Sequence, residues 1–293
     1  MNSGFLYALG AYLVWGLLPV YWKWLQHVPA VQVVGHRIGW SFILLLGFII
    51  ATGQWRTFRS EINRRVLVNY SIAGILLGIN WLVYVWAVNA GFIVETSLGY
   101  FINPLFSVVL GMLFLGERLR RAQWFPVGLA ACGVVYLTMA YGSLPWIALT
   151  LAFTFGFYGL VKKISPLGSL HGLTLETGFV FLPAVGYLVL VNFEGQGAFG
   201  HQGLQTDLLL AGAGVATFIP LLLFASATRR IPLIAIGIMQ YIAPTLQFLI
   251  GVFLYKEPFS QTKLVGFTLI WIALLLFWLE SVYVRRRQQV NRT

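Results

Sequence analysis

Ten stretches of this chain are continuously apolar over the length that a helix needs to cross a lipid bilayer: residues 5–23, 33–51, 67–89, 93–115, 123–140, 145–161, 172–191, 207–227, 233–255 and 263–281. A crossing takes about 20 such residues. Backbone inside lipid has no water to bond to, so each run must satisfy its own N–H and C=O groups, which a helix does. The connections are short, and the longest polar one is Asn192–Asp207, rich in Gly and Gln. The predicted fold class is therefore all-α: a polytopic membrane protein with ten transmembrane helices and no soluble domain.

Composition leaves little alternative. Of the 293 residues 59% are apolar and only 9% charged. A 32.8 kDa soluble domain cannot bury that much apolar surface, and 11 Trp with 23 Phe exclude disorder. The lone cysteine, Cys132, excludes a disulfide framework. The first apolar run is too long and too aromatic for a cleavable signal peptide and is expected to double as the insertion signal.

The net charge of +11 suggests a nucleic-acid partner, but its distribution argues against one. The cations sit in short clusters between apolar runs. With the N-terminus in the cytoplasm, 15 Lys and Arg fall in cytoplasmic segments, among them Arg56, Arg59, Arg118, Arg121, Lys162, Lys163, Arg229 and Arg285, against 3 on the opposite side, Lys23, Lys256 and Lys263. That asymmetry predicts both termini in the cytoplasm and reads the clusters as topology signals.

The chain also resembles itself at a constant shift of 140 residues: Gly16 matches Gly156, Lys23 matches Lys163, Gly74 matches Gly214, Pro104 matches Pro244, Gly111 matches Gly251 and Glu117 matches Glu257. Five helices per half is an odd number, so the second half must enter the membrane upside down. The expected organisation is two inverted five-helix repeats, 1–140 and 141–293, the architecture of many secondary transporters.

Polar residues inside such helices face the bundle interior or a wet cavity. In the run 93–115, Thr96, Tyr100, Asn103 and Ser107 are spaced 4, 3 and 4 apart and form one stripe. In the matched run, Gln240 and Gln247 stand at the positions equivalent to Tyr100 and Ser107. Asn80 and Tyr84 share a face of the third run, and Trp15 and Tyr158 lie at mid-depth of the first and sixth. These residues and Tyr241 are the expected walls of a central substrate cavity. Pro104 and Pro244 each remove a backbone bond near the middle of a helix and are the expected hinges. No charge is expected at the centre. His36 and Arg37, near one end of the second run, with Glu95 and Glu176, are the candidates for coupling or gating, and proton coupling would use Glu95, His36 or Glu176. Glu117 and Glu257 are expected to be structural. Trp22, Trp24, Trp55 and Trp124 read as interfacial anchors. Gly35 with Gly39, and Gly74 with Gly78, permit close helix contact.

No phosphate-binding Gly-rich loop followed by Lys-Ser or Lys-Thr is present, no metal-ligand pair lies on a helix face and no nucleophile elbow occurs. No cofactor, metal or catalytic set is expected, and an enzyme or a sensor is the weaker reading.

Several stretches together resemble the RarD family, in the EamA branch of the drug/metabolite transporter superfamily: Asn80–Asn89, Glu95–Pro104, Gly116–Leu119, His36-Arg37 with Trp40-Ser41, Leu144–Ala148, Gln240–Thr245 and Gly251–Pro258. The resemblance spans essentially the whole chain. It implies a bacterial inner-membrane protein of ten helices in two inverted repeats that moves small organic molecules, commonly outward; chloramphenicol-like compounds and amino acids are the substrates associated with such proteins. Import or facilitated diffusion is the alternative. The expected partners are a small-molecule substrate and the lipid bilayer, without nucleic acid, and either a monomer or a homodimer fits. Aromatic walls with a few amides predict a neutral or zwitterionic solute.

Overall fold

In the computed structural model, which describes residues 3–89, 93–141, 146–254 and 261–290, the chain is a bundle of helices, with no strand among the described residues. The helices are α1 (Ser3–Trp24), α2 (Ala30–Ala51), the short α3 (Trp55–Glu61), α4 (Arg64–Asn89), α5 (Ile93–Leu115), α6 (Trp124–Tyr141), α7 (Trp146–Ile164), α8 (Ser169–Phe193), α9 (Leu204–Thr228), α10 (Leu233–Gln240), α11 (Ile242–Leu249) and α12 (Gln261–Val290). A π-helical turn, Ile250–Leu254, follows α11. Each of the ten apolar runs falls on a helix, except that the ninth is divided into α10, α11 and the π turn. Among the described residues seven helices are long and apolar enough to cross a membrane, and α5, α10–α11 and α12 carry shorter apolar stretches.

The break in the ninth run has a local cause. Pro244 has no N–H to give the carbonyl of Gln240, four residues back, and the helix is interrupted at Tyr241. Pro104 removes the equivalent bond to Tyr100, yet α5 stays continuous. The matched prolines therefore have unequal effects.

Helix ends show the same chemistry twice. In α2 the N–H of Gly53 bonds Ile50 O at 3.0 Å and that of Gln54 bonds Ile49 O at 2.9 Å. In α8, Gly195 bonds Asn192 O at 3.1 Å and Gln196 bonds Val191 O at 3.0 Å. Both caps need a left-handed residue, supplied by Gly53 at φ 69° and Gly195 at φ 72°.

α1 packs on α9 and α11, α2 on α9 and α8, α4 on α7 and α8, α5 on α7 and α10, and α6 on α12. Small residues set the closest approaches. A β-carbon at Gly74 would stand 2.7 Å from Glu176 O of α8, and one at Gly214 2.5 Å from Trp40 Cβ of α2. The core between the helices is built on Tyr12, Leu77, Tyr158, Leu221 and Phe224. Large apolar side chains such as Leu17, Leu113, Leu182 and Trp278 point outward, a surface suited to lipid rather than water. Trp24, Trp55 and Trp124 are exposed near helix ends, as anchors would be. Trp22 is turned inward instead.

Candidate functional site

Between the helices lies a cavity of about 150 Å³. Because α1 starts at one end of the bundle, that end is called here the N-terminal end and the other the far end. The cavity occupies the far-end half. On α1 its wall runs from Tyr12 through Trp15 and Pro19 to Trp22, near the helix's last turn. On α2 it takes Arg37, in the early turns.

Most of the expected wall residues meet there. Tyr84 and Tyr100 come from α4 and α5 with ring centroids 5.8 Å apart. Asn80 lines the cavity while its amide nitrogen donates to Leu151 O at 3.0 Å and Thr154 Oγ1 at 2.9 Å, tying α4 to α7. Gln247 lines it too and donates to Trp15 O at 3.1 Å, tying α11 to α1. Gln240 sits beneath them, its Oε1 accepting from Ser107 Oγ at 3.4 Å, so the two matched stripes touch. Asn103 is buried in the wall, and its Oδ1 has no hydrogen-bond partner. Pro244 lines the cavity. Pro104 does not: its carbonyl packs where α5 meets Gly237 of α10, 2.6 Å from an added β-carbon.

Two expected wall residues lie elsewhere. Tyr241 follows Gln240 directly and so projects from another side of the chain than Gln240, Pro244 and Gln247; its hydroxyl donates to Phe101 O at 3.2 Å, within the packing of α6 and α12. Tyr158 lies one turn nearer the N-terminal end than Phe155, which takes the wall position, and its hydroxyl donates to Glu176 Oε1 at 3.0 Å.

The charged candidates separate. Glu176 is fully buried in an ion pair with Lys162, both carboxylate oxygens 3.2 Å from Nζ. Lys162 is accordingly no solvent-facing topology cation: it is 4% exposed, with Nζ 5.5 Å from the Tyr70 ring centroid. His36 lies outside the cavity, its ring 5.2 Å from that of Phe199. The side chain of Glu95, and all of Glu257, lie outside the described residues. Glu117 is structural as expected: its carboxylate accepts from the N–H groups of Leu233 and Ile234 at 2.7 and 2.8 Å, capping α10.

Arg37, a coupling or gating candidate near one end of the second run, is the charged residue of the cavity wall. It reaches the cavity wall with its guanidinium carbon 4.7 Å from the Trp22 ring centroid and 5.0 Å from that of Trp81, while Nε donates to Thr217 Oγ1 at 2.9 Å. Trp22, Trp81, Phe155 and Thr217 were not expected in the site. A signal existed: Trp15, Leu18, Pro19 and Trp22 follow helical spacing on α1, and Arg37 and Ser41 do so on α2.

Below the cavity the N-terminal half is packed. The wall residues Tyr12, Trp15 and Phe155 form the cavity's floor and continue into that half through ring contacts with Tyr158 and Phe224, with Trp15–Phe224 at 5.6 Å and Tyr158–Phe224 stacked at 6.0 Å. Beneath them lies the Lys162–Glu176 pair. At the N-terminal end, Tyr70 of α4 meets the backbone of Leu167, at 3.4 Å to its O and 3.2 Å from its N, and Arg229 donates to the carbonyls of residues 165–167.

The comparisons with known proteins agree with this architecture. The family model described as the EamA-like transporter family matches residues 2–139. The chain is 48% identical to an uncharacterized transporter, YojE, of Bacillus subtilis over 97% of this chain and 96% of that protein. It is 42% identical to the protein RarD of Streptomyces exfoliatus over 99% of this chain and 92% of that protein. A solved crystal structure superposes with a TM-score of 0.68 at 18% identity, over 94% of this chain and 97% of that one, and so shares the fold. The outward apolar surface, the amphipathic cavity and these relatives have one common reading: the chain is a multi-pass membrane protein and belongs to the RarD group of the EamA-like transporter family.

Proposed function

We propose that this protein is a secondary transporter that exports a small organic solute across the bacterial inner membrane by alternating access. Ten membrane-crossing helices form two oppositely oriented halves, 1–140 and 141–293, with both termini in the cytoplasm. The observation that carries the reading is the asymmetric interior: an amphipathic cavity in the far-end half, above an N-terminal half filled by aromatic rings and a buried ion pair. A carrier caught facing one side has this form.

The pattern of packed helices supports the inverted halves. Under the 140-residue shift α1 corresponds to α7, α2 to α8, α4 to α9, and α5 to α10–α11. The contact of α1 with α9 then corresponds to that of α7 with α4, α2 with α9 to α8 with α4, and α5 with α7 to α11 with α1. The clustering of basic residues near the N-terminal end supports a cytoplasmic location for that end. Movement would rock the halves about Pro104 and the broken α10–α11 segment, opening the packed end as the cavity closes.

The test begins with solutes that raise the unfolding temperature of the detergent-purified protein and follows their flux in proteoliposomes. Saturable flux, lowered by Gln240→Ala and by Tyr100→Phe with membrane insertion intact, is expected. Flux no faster than through protein-free vesicles would defeat the transporter reading, and unchanged flux in both variants would defeat the site. An imposed pH gradient that accelerates efflux supports proton-driven export; indifference to the gradient favours facilitated diffusion or import.

A further inference from the structure

Arg37 is the sole charged side chain lining the cavity among the described residues. At membrane depth an arginine without a counter-charge is costly. Among the described residues no carboxylate neutralises Arg37: the partners the structure gives it are two indole faces and a threonine hydroxyl. These contacts do orient it. Thr217 gives its hydroxyl proton to Ala213 O at 2.7 Å, which leaves its lone pairs to accept from Arg37 Nε at 2.9 Å. Trp22 and Trp81 hold the guanidinium by cation–π contact. The two terminal nitrogens bond no acceptor among the described residues, and their paired N–H groups form the fork that fits a carboxylate bidentately.

A second polar residue stands in the same wall. Asn103 is 5% exposed and lines the wall, and its Oδ1 is a buried acceptor with no partner. Around these two groups the wall is ring surface, chiefly Trp15, Tyr84, Tyr100 and Phe155.

Building on the transporter reading, we propose that the substrate is an organic monoanion: a carboxylate held by Arg37, on an aromatic or otherwise apolar body. This revises the neutral or zwitterionic solute expected from the sequence. A zwitterion would bring an ammonium to a wall that holds no acidic side chain among the described residues, and a dianion would bring a second charge with no second cation to meet it. The apolar walls around a single positive charge also concentrate anions.

The experiment compares 3-phenylpropanoate with its uncharged isostere 3-phenylpropanamide, read by quenching of tryptophan fluorescence in the purified full-length protein, since Trp15, Trp22 and Trp81 line the cavity. The acid is expected to bind about tenfold or more tightly than the amide, the difference that a charge-assisted bidentate pair supplies. Arg37→Gln should abolish the preference, Arg37→Lys should retain part of it, and Thr217→Val, which keeps the charge but frees its orientation, should reduce it. Sodium chloride at equal ionic strength should not compete; competition by chloride as strong as by the acid would reassign the site to a small inorganic anion and overturn the proposal. Equal binding of acid and amide, no saturable binding of either, or a preference that survives Arg37→Gln would overturn it too. Flux of a neutral solute with no acid preference would remove the anion anchor and leave the transporter reading intact. Acid-selective binding without flux of any solute would do the reverse.

Discussion

The two ends of this bundle treat charge in opposite ways at matched positions. Under the 140-residue shift Trp22 corresponds to Lys162, His36 to Glu176 and Arg37 to Thr177. At the N-terminal end Lys162 and Glu176 neutralise each other at 3.2 Å, with the Tyr158 hydroxyl 3.0 Å from the same carboxylate. That set needs nothing from outside, and protein packs tightly around it. At the far end the corresponding helices supply an indole and a guanidinium, which attract without cancelling charge. That set remains incomplete, and a cavity stands beside it. Closing an end of the bundle thus goes with self-satisfied polar groups, and keeping a site goes with a polar group left wanting.

The strongest way to break this comparison is to unbalance the closed end. Lys162→Ala or Glu176→Ala should each cost roughly 3–5 kcal/mol, because each strands a buried charge. The double change Lys162→Met with Glu176→Leu should recover most of that loss in thermal unfolding of the purified protein. A double variant no better than the sum of the singles would show that the pair does not act as a unit. Next in size is steric overpacking. Gly74→Val and Gly214→Val force side chains into backbone contacts 2.7 Å from Glu176 O and 2.9 Å from Ser41 N, and each should cost about 1–3 kcal/mol. Wild-type unfolding temperatures in both would mean that these helices are not held in close approach.

At the open end, Gln240→Ala removes the group that joins the two polar stripes through Ser107, and should lower solute flux about tenfold with little change in stability. A stability loss matching the flux loss would make Gln240 a packing residue. The smallest effect is expected at the surface. Arg120 and Glu280 also form an ion pair, at 2.7 Å, but the Arg120 side chain is 45% exposed. Glu280→Gln should therefore shift stability by less than about 1 kcal/mol, less still in high salt. A cost rivalling that of Glu176→Ala would refute the claim that burial gives the Lys162–Glu176 pair its importance.

Much of the site was legible because helical spacing is local. The stripe that includes Tyr100 and Asn103, its counterpart in Gln240 and Gln247, and the face shared by Asn80 and Tyr84 all converge on one cavity. The misplacements are a matter of rotation. Tyr241 and Tyr158 have the right depth but face helix contacts, and no property of their own runs tells which side of a uniformly apolar helix will be inward. By its sequence position alone Arg37 is an end-of-helix charge. Its inclusion depends on α1 and α4 bringing Trp22 and Trp81 to either side of it and on α9 supplying Thr217.

The amino-acid sequence by itself determined where the helices lie and that they suit lipid, because both follow from free energies counted residue by residue along a run. Tertiary structure alone decided which end of the interior is filled and which side chains share the cavity with Arg37. Those outcomes turn on the rotation and approach of neighbouring helices, which contacts between residues distant in the chain, such as Gly74 with Glu176 and Gly214 with Trp40, set together.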